Sequence, residues 1–155
     1  SWKQHCLREV LPDIDLARVH FLDRLPHASL RALMQVSTTH VYLTYPFVLS
    51  WSCIEALSVG CAIVASDTAP VRDVIVDDEN GVLTSFHDHR ALAAAICELL
   101  ADPTRRARLS RAARETALAS FDISLCVRRT LDILGVDSED RSTKAAGHLP
   151  AAVTE

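Results

Sequence analysis

The chain alternates short apolar runs with stretches in which apolar residues recur every three to four positions. The runs are continuous and rich in β-branched residues, which predicts strands at residues 18–22, 40–44, 61–66 and 81–85. The helical spacing predicts helices at residues 26–36, 50–59, 69–76, 90–100, from Pro103 to about Ser120, and 123–134. Alternation of strand and helix predicts an α/β layer fold with a parallel sheet.

The periodic pattern stops near Gly135, and this sets the expected domain boundaries. Residues 1–134 are predicted to form one domain, which suits a chain of 155 residues. Residues 135–155 are polar and small and are predicted to be a disordered tail. The chain begins with Ser1 instead of Met, in a segment of helical character, so we interpret it as a fragment.

Composition narrows the classes of partner and cofactor. A net charge of −4 argues against a nucleic-acid partner, and no apolar run reaches the ~18 residues of a membrane span. The five cysteines are widely spaced, so we expect buried, reduced thiols in a cytoplasmic protein and neither disulfides nor zinc. His87 and His89 lack a third ligand nearby, so no metal site is predicted.

The loop after the run at 40–44 is the strongest candidate for chemistry. Ligands of open parallel sheets bind where strands end, and this loop leads into a helix start with Ser50 and Ser52, which suits phosphate. Glu55 follows within that helix. Its spacing from Ser52 favours a capping box, while a role as acceptor for a ribose diol stays open.

Several blocks, in order, resemble the C-terminal domain of group 1, family 4 glycosyltransferases. They are CIEALSVGCAIVAS (53–66), DDENGVLTS (77–85) and ALAAAICELLADP (91–103), and the resemblance extends over about residues 18–134. Such enzymes have the GT-B architecture, in which two Rossmann-like domains face each other across a cleft. The resemblance therefore implies a Rossmann-like three-layer sandwich, with the other, N-terminal domain missing from this chain.

The resemblance also implies a reaction and a set of donor-binding residues. The reaction is sugar transfer from a UDP-, GDP- or similar nucleotide-sugar to an acceptor hydroxyl, with retention of configuration and without a metal or other cofactor. Glu55 would bind the ribose. The diphosphate would lie on the backbone of Leu49, Ser50, Trp51 and Ser52. The base would lie against Arg24, Leu25 and Pro26.

The chain departs from the family pattern at two places. Phe47 stands where a first Glu, which approaches the donor sugar, is usual. Ser50 and Trp51 replace the usual Gly-Leu or Gly-Asn. The basic residues that usually clamp the phosphates would lie upstream in the missing domain, together with most catalytic residues. Turnover by this chain alone is therefore not expected, although donor binding is.

Other polar residues allow more than one interpretation. The five arginines at positions 105, 106, 108, 111 and 114 are expected to form a solvated helix face, with a membrane or nucleic-acid patch as the alternative. Asp67, Thr68 and Arg72 could approach the sugar, or Thr68 could cap the next helix. Trp51 is expected to pack into the core more than against the nucleotide.

Functional alternatives stay open at this stage. The first is a non-catalytic interaction or regulatory module on half of a GT-B fold, and the second is half of a nucleotide-sugar epimerase. For the transferase, the acceptor would be a glycan, a lipid-linked molecule or a small molecule. A cytoplasmic location is expected, with peripheral contact at the inner membrane face as an option.

Overall fold

The chain folds around a short parallel sheet. The computed structural model describes residues 2–45 and 48–136. Within them the sheet has the strand order β1-β2-β3, all parallel. The strands are β1 His40–Tyr42, β2 Ile63–Ser66 and β3 Val82–Thr84. The helices are α1 Trp2–Val10, α2 His27–Val36, α3 Trp51–Ser58, α4 Ala69–Arg72, α5 His89–Ala101, α6 Pro103–Phe121 and α7 Ile123–Ile133.

The central strand β2 is buried on both faces, as its continuous apolar run predicts. Ile63 and Ala65 belong to a core cluster that includes residues of α2, α3, α4 and α6. Val64 belongs to a second cluster, with Leu99 of α5 and Leu109 of α6. Because successive residues of a strand point to opposite faces, helices cover both sides of the sheet. The predicted Rossmann-like three-layer α/β sandwich is confirmed.

Helix ends follow the local sequence. Asp88 caps α5 by accepting from the backbone N–H groups of Arg90 and Ala91. Asp102 ends α5 and caps α6, whose first residue is Pro103, a favoured position for proline. Gly60 follows the end of α3 with φ +74°, a conformation that glycine adopts without steric cost.

The turn between α4 and β3 is fixed by a buried asparagine. The Asn80 side chain accepts from the backbone N–H of Val76 at 2.8 Å and donates to the carbonyl of Val74 at 3.0 Å. It also donates to Oγ1 of Thr116 on α6, at 3.0 Å. Gly81 comes next, where a Cβ would lie 2.8 Å from Cγ2 of Ile75. Asn80 therefore links this turn to α6, and the lack of a side chain at Gly81 lets the start of β3 lie against Ile75.

The predicted strand at residues 18–22 is wrong. Residues 16–18 form a 3₁₀ turn, and residues 19–22 belong to no strand of the sheet. Phe21 and Leu22 are 50% and 57% exposed, so the run lacks the burial that its composition suggests. A strand needs a neighbouring backbone for its hydrogen bonds, and β1 pairs only with β2 among the described residues.

The other predicted elements are confirmed, with bounds that differ by a few residues. The helix expected at 69–76 ends at Arg72, and each strand is two residues shorter than its apolar run. No helix in the described ranges is both long and apolar enough to cross a bilayer. The tail predicted at 135–155 lies outside the described residues from position 137 onward, so its disorder stays a prediction.

Candidate functional site

The carboxyl ends of the three strands lie level with one another. Ser66 at the end of β2 accepts from the backbone N–H of Thr44 through Oγ, and Oγ donates back to the carbonyl of Thr44, both at 3.0 Å. The backbone N–H of Asp67 donates to the carbonyl of Thr84 at 2.7 Å. The loops after the strands therefore emerge together. We call residues 44–45, 48–52, 67–72 and 85–88 the crevice edge.

A buried tyrosine positions the start of α3. Tyr42, the last residue of β1, is only 6% exposed, and its hydroxyl oxygen accepts from the backbone N–H of Ser50 at 2.9 Å. Ser50 is the N-cap of α3, and its Oγ accepts from the backbone N–H of Ser52 at 3.3 Å. The strand end and the helix start are therefore tied together, and the helix N-terminus opens at the crevice edge.

Two of the four predicted diphosphate donors are already engaged. The N–H groups of Ser50 and Ser52 donate internally, as described. Those of Leu49 and Trp51 have no acceptor within residues 2–45 and 48–136. The free donors of the helix N-terminus thus fall on these two residues, where the helix dipole also favours an anion.

The capping-box interpretation of Glu55 is wrong. The N-cap is Ser50, so Glu55 is the fifth helical residue and lies beyond reach of the cap backbone. Its Oε1 instead lies 2.9 Å from Nε2 of His27, the first residue of α2. The Glu55 side chain is 37% exposed and that of His27 is 70% exposed, so this carboxylate faces solvent.

The His27 contact brings the predicted base-binding loop close to Glu55. Arg24, Leu25 and Pro26 immediately precede His27, and Pro26 is the N-cap of α2. A cavity of about 170 Å³ separates α2 from α3, and Glu55 and His27 line it together with Leu30, Arg31 and Met34. The sequence-predicted ribose and base residues are therefore neighbours, joined by a histidine that sequence reasoning missed.

Trp51 does not pack into the core. It is 83% exposed as the first residue of α3, because a residue at a helix start projects past the packed turns. Together with Leu49, Ile54 and Phe121 it borders a cavity of about 210 Å³ beside the helix N-terminus. Phe47, at the position of the usual first Glu, lies outside the described residues.

The loop after β2 holds an ion pair. Nε of Arg72 lies 2.8 Å from Oδ1 of Asp67, and both residues are exposed. Thr68 occupies the N-cap position of α4, yet its side chain makes no capping hydrogen bond. Its Oγ1 is buried without a partner in the described part of the chain, so the capping interpretation of Thr68 is wrong.

The arginines of α6 are engaged in structural contacts. Nε of Arg105 donates to Oδ1 of Asp78 at 2.7 Å. Arg108 donates to Oδ2 of Asp78 at 2.8 Å and to its carbonyl at 2.6 Å. The hydrogen bond from Arg105, and then that from Arg108, holds the pKa of the Asp78 carboxyl below its usual value. Asp78 has φ +53°, so this clamp holds an unfavourable turn.

Two further arginines of α6 bind backbone carbonyls. Arg106 donates to the carbonyls of Leu99 and Leu100 at 2.7 and 3.1 Å. Arg114 donates to the carbonyl of Ser58. Of the arginines predicted to form a solvated face, only Arg111 has no such contact among the described residues. Arg108, Arg111 and Arg114 are nevertheless exposed, as a solvated face requires, whereas Arg105 and Arg106 are half-buried and the prediction is wrong for these two.

The cysteines only partly match their prediction. Cys53 and Cys61 are buried, and burial raises the pKa of the Cys53 thiol to about 12. Cys6 and Cys97 are exposed, and Cys126 is half-buried. His87 packs edge-on against Phe86 with ring centroids 5.1 Å apart, and His89 begins α5. No group of three potential metal ligands occurs within the described ranges.

The fold and the sequence segments around this site define the class of protein to which the chain belongs. The chain forms a Rossmann-like α/β domain. The sequence model for glycosyl transferases group 1 matches residues 13–116. The chain belongs to that family.

Individual relatives agree with this assignment. The chain is 30% identical over 117 residues to alpha-maltose-1-phosphate synthase of Mycobacterium tuberculosis, covering 72% of this chain and 30% of the relative. It is 47% identical over 78 residues to D-inositol 3-phosphate glycosyltransferase of Xylanimonas cellulosilytica, covering 44% of this chain and 19% of the relative. The chain thus spans less than a third of the length of these curated relatives.

Solved structures share the fold. HepE from Anabaena, determined in complex with UDP-glucose, superposes with a TM-score of 0.78 at 20% identity. The match covers 85% of this chain and 36% of that one. At this identity the likeness concerns the fold alone.

His27 and Tyr42 are the residues that sequence reasoning missed. Tyr42 carries a weak signal, since a tyrosine that ends a buried strand needs a partner for its hydroxyl. His27 carries none, because 28 residues separate it from Glu55 and only the packing of α2 beside α3 brings them together.

Proposed function

We propose that this domain binds the nucleoside-diphosphate part of a nucleotide-sugar in a retaining glycosyltransferase. The observation that carries the proposal is the exposed Glu55 carboxylate, held beside the loop 24–26 by His27. A carboxylate with one oxygen anchored presents the other to a ribose diol, and charged acceptors form the stronger hydrogen bonds. The diphosphate would then bind at the start of α3, on the free N–H groups near Leu49 and Trp51.

Relatives support this choice of ligand and reaction. HepE was determined with UDP-glucose, and the curated relatives are named as a glycosyltransferase and a sugar-phosphate synthase. Family membership favours glycosyl transfer over epimerisation. We propose that the acceptor is a hydroxyl of a glycan, a lipid-linked molecule or a small molecule, and that turnover needs the domain that faces this one in the GT-B architecture.

Calorimetry with the chain and UDP tests the ribose contact. Glu55→Ala is expected to lower the affinity for UDP about tenfold or more, since a hydrogen bond to a charged group contributes about 1.5 kcal/mol or more to binding. Glu9→Ala is the matched control, because Glu9 also pairs with a histidine, His5, at 3.4 Å on an exposed helix face. This control should bind UDP as the parent chain does.

A ribose analogue makes the test sharper. If Glu55 binds the diol, 2′-deoxy-UDP should bind the parent chain more weakly than UDP does, and Glu55→Ala should abolish that difference. Equal affinity of the parent chain for both nucleotides would remove Glu55 from the ribose site.

The remaining parts of the proposal concern the whole enzyme. We propose retention of configuration, no metal requirement and a cytoplasmic enzyme of polysaccharide biosynthesis. The anomer of the first product formed by the longer protein, followed by NMR, decides between retention and inversion. Rates measured with and without EDTA decide the metal requirement. The non-catalytic alternative predicts UDP binding without any transfer by that longer protein.

A further inference from the structure

Aromatic side chains bridge the ends of the two outer strands at the crevice edge. Tyr45 follows β1 and Phe86 follows β3, and their rings meet edge-on with centroids 5.7 Å apart and planes at 76°. His87 packs edge-on against Phe86. Tyr45 is 66% exposed and Phe86 is half-buried, so neither ring belongs to a core cluster. The rings therefore form a partly exposed, edge-on aromatic pair at the end of the sheet.

The Asp67–Arg72 ion pair follows the strand between these two. β2 lies between β1 and β3, and the backbone N–H of Asp67 donates to the carbonyl of Thr84, two residues before Phe86. The two side chains contact each other through one carboxylate oxygen and Nε, and they have no other polar partner among the described residues. The second carboxylate oxygen and the terminal guanidinium N–H groups are thus available to a ligand.

This combination matches the chemistry of a sugar ring. A pyranose has apolar C–H faces, which pack on aromatic rings, and a rim of hydroxyls that both donate and accept. A carboxylate and a guanidinium side by side can accept from one hydroxyl and donate to the next. A phosphate would be repelled by Asp67, so an anion site fits this pair less well.

We propose that Tyr45, Phe86, Asp67 and Arg72 form a binding site for a pyranose ring, with the exposed Tyr45 ring under its apolar face, Phe86 supporting that ring edge-on, and the ion pair on its hydroxyls. The inference rests on the proposed function, because a glycosyltransferase holds the sugar of its donor beside its acceptor. The same chemistry serves the sugar of the donor or a sugar of the acceptor, and the experiment distinguishes the two.

The test compares three probes by saturation-transfer NMR titration on the chain: UDP, UDP-glucose and maltose. Tyr45→Ala is expected to lower the affinity for UDP-glucose, for maltose or for both about threefold to tenfold, the range expected for one aromatic contact. Its affinity for UDP should not change. Asp67→Asn is expected to act in the same direction. Tyr45→Phe keeps the ring and should retain most of the affinity.

Trp2→Ala is the matched control, since Trp2 is 78% exposed and also packs against a histidine, with centroids 5.2 Å apart in α1. If the variants lose affinity for UDP-glucose alone, the site binds the donor sugar. If they lose affinity for maltose, the site binds a sugar of the acceptor. The inference is overturned if both variants bind UDP-glucose and maltose as the parent chain does, or if neither sugar binds the parent chain. Failure of the parent chain to bind UDP would instead count against the proposed function, and maltose would still decide the inference.

Discussion

The two sides of this domain use charged residues in different ways. On the framework side, formed by α6 and the turn 77–81 that it holds, arginines reach carbonyls and the Asp78 carboxylate. At the crevice edge, the Asp67–Arg72 pair is exposed and keeps unused hydrogen-bonding groups. Glu55, on the α3 helix that starts from this edge, is similar. Charge on the framework side therefore supports the fold, whereas charge near the edge is available for a ligand.

This difference shows why counting charges in a sequence misleads. The arginine-rich segment of α6 has the composition of a binding patch, yet most of its guanidinium groups are engaged. Glu55 lies in an apolar segment of α3, yet its side chain is 37% exposed and contacts the exposed side chain of His27. What separates them is the kind of partner: the arginines reach backbone carbonyls and the Asp78 turn, whereas Glu55 contacts an exposed side chain.

The largest expected effect is on the framework side. Leu109 of α6 is fully buried, and Leu109→Ala should lower the free energy of unfolding by about 3 kcal/mol through lost burial and a cavity. Leu118→Ala on the same helix is the control, because Leu118 is 51% exposed and should lose less than about 1 kcal/mol. Urea unfolding measures both. Equal losses would mean that α6 does not close the core.

The second effect concerns the start of β3. Gly81→Ala would place a Cβ 2.8 Å from Ile75, and this overlap should cost about 1–3 kcal/mol of unfolding free energy. Gly135→Ala separates packing from backbone conformation, because Gly135 has φ +65° and no neighbour within 4 Å. Its cost should be about 1–2 kcal/mol, from the left-handed conformation alone. In an Ile75→Ala background, which lacks the clashing Cγ2, Gly81→Ala should cost less than in the parent chain, whereas the cost of Gly135→Ala should be the same in both backgrounds.

The third effect depends on pH. Arg105 foremost, and Arg108 with it, lower the pKa of Asp78 in the folded chain. Stabilisation from this carboxylate is therefore present above its unfolded pKa, about 3.9, and is lost as pH falls through the lower folded value. Asp78→Asn should cost about 1 kcal/mol or less at pH 7, because the group is half-exposed, and should flatten the acid limb of the stability profile.

Asp73→Asn is the control for this pH effect, since Asp73 is exposed and forms no ion pair in the described part of the chain. Its stability profile should follow that of the parent. An unchanged acid limb in Asp78→Asn would show that the arginine clamp contributes nothing to folding.

Sequence patterns predicted most of the framework and only part of the site. The run 61–66 has an unambiguous burial pattern, so β2 and its flanking helices followed from it. The run 18–22 has the composition of a strand but pairs with no other strand among the described residues. The composition of a segment does not determine whether a neighbouring strand is available for it to pair with. The exposure of Trp51 and the His27–Glu55 contact depend on where α3 begins and how α2 packs beside it, which spacing alone does not fix.

The smallest expected effect tests whether His27 positions Glu55. The pair is largely exposed, so His27→Ala should change the free energy of unfolding by no more than about 0.5 kcal/mol. UDP affinity should nevertheless fall about threefold, because an unanchored Glu55 side chain must be immobilised when the ribose binds. His5→Ala, which breaks the comparable pair with Glu9, should change neither quantity.

The direction of the His27 effect discriminates between two roles. If His27 orients the carboxylate, His27→Ala combined with Glu55→Ala should bind UDP as Glu55→Ala alone does, since nothing remains to be positioned. If His27 instead competes with the ribose for Oε1, the single variant His27→Ala should bind UDP more tightly than the parent chain. That result would keep Glu55 in the site but make His27 a residue that the nucleotide displaces, and the edge beside α3 would then be less preorganised than the framework behind it.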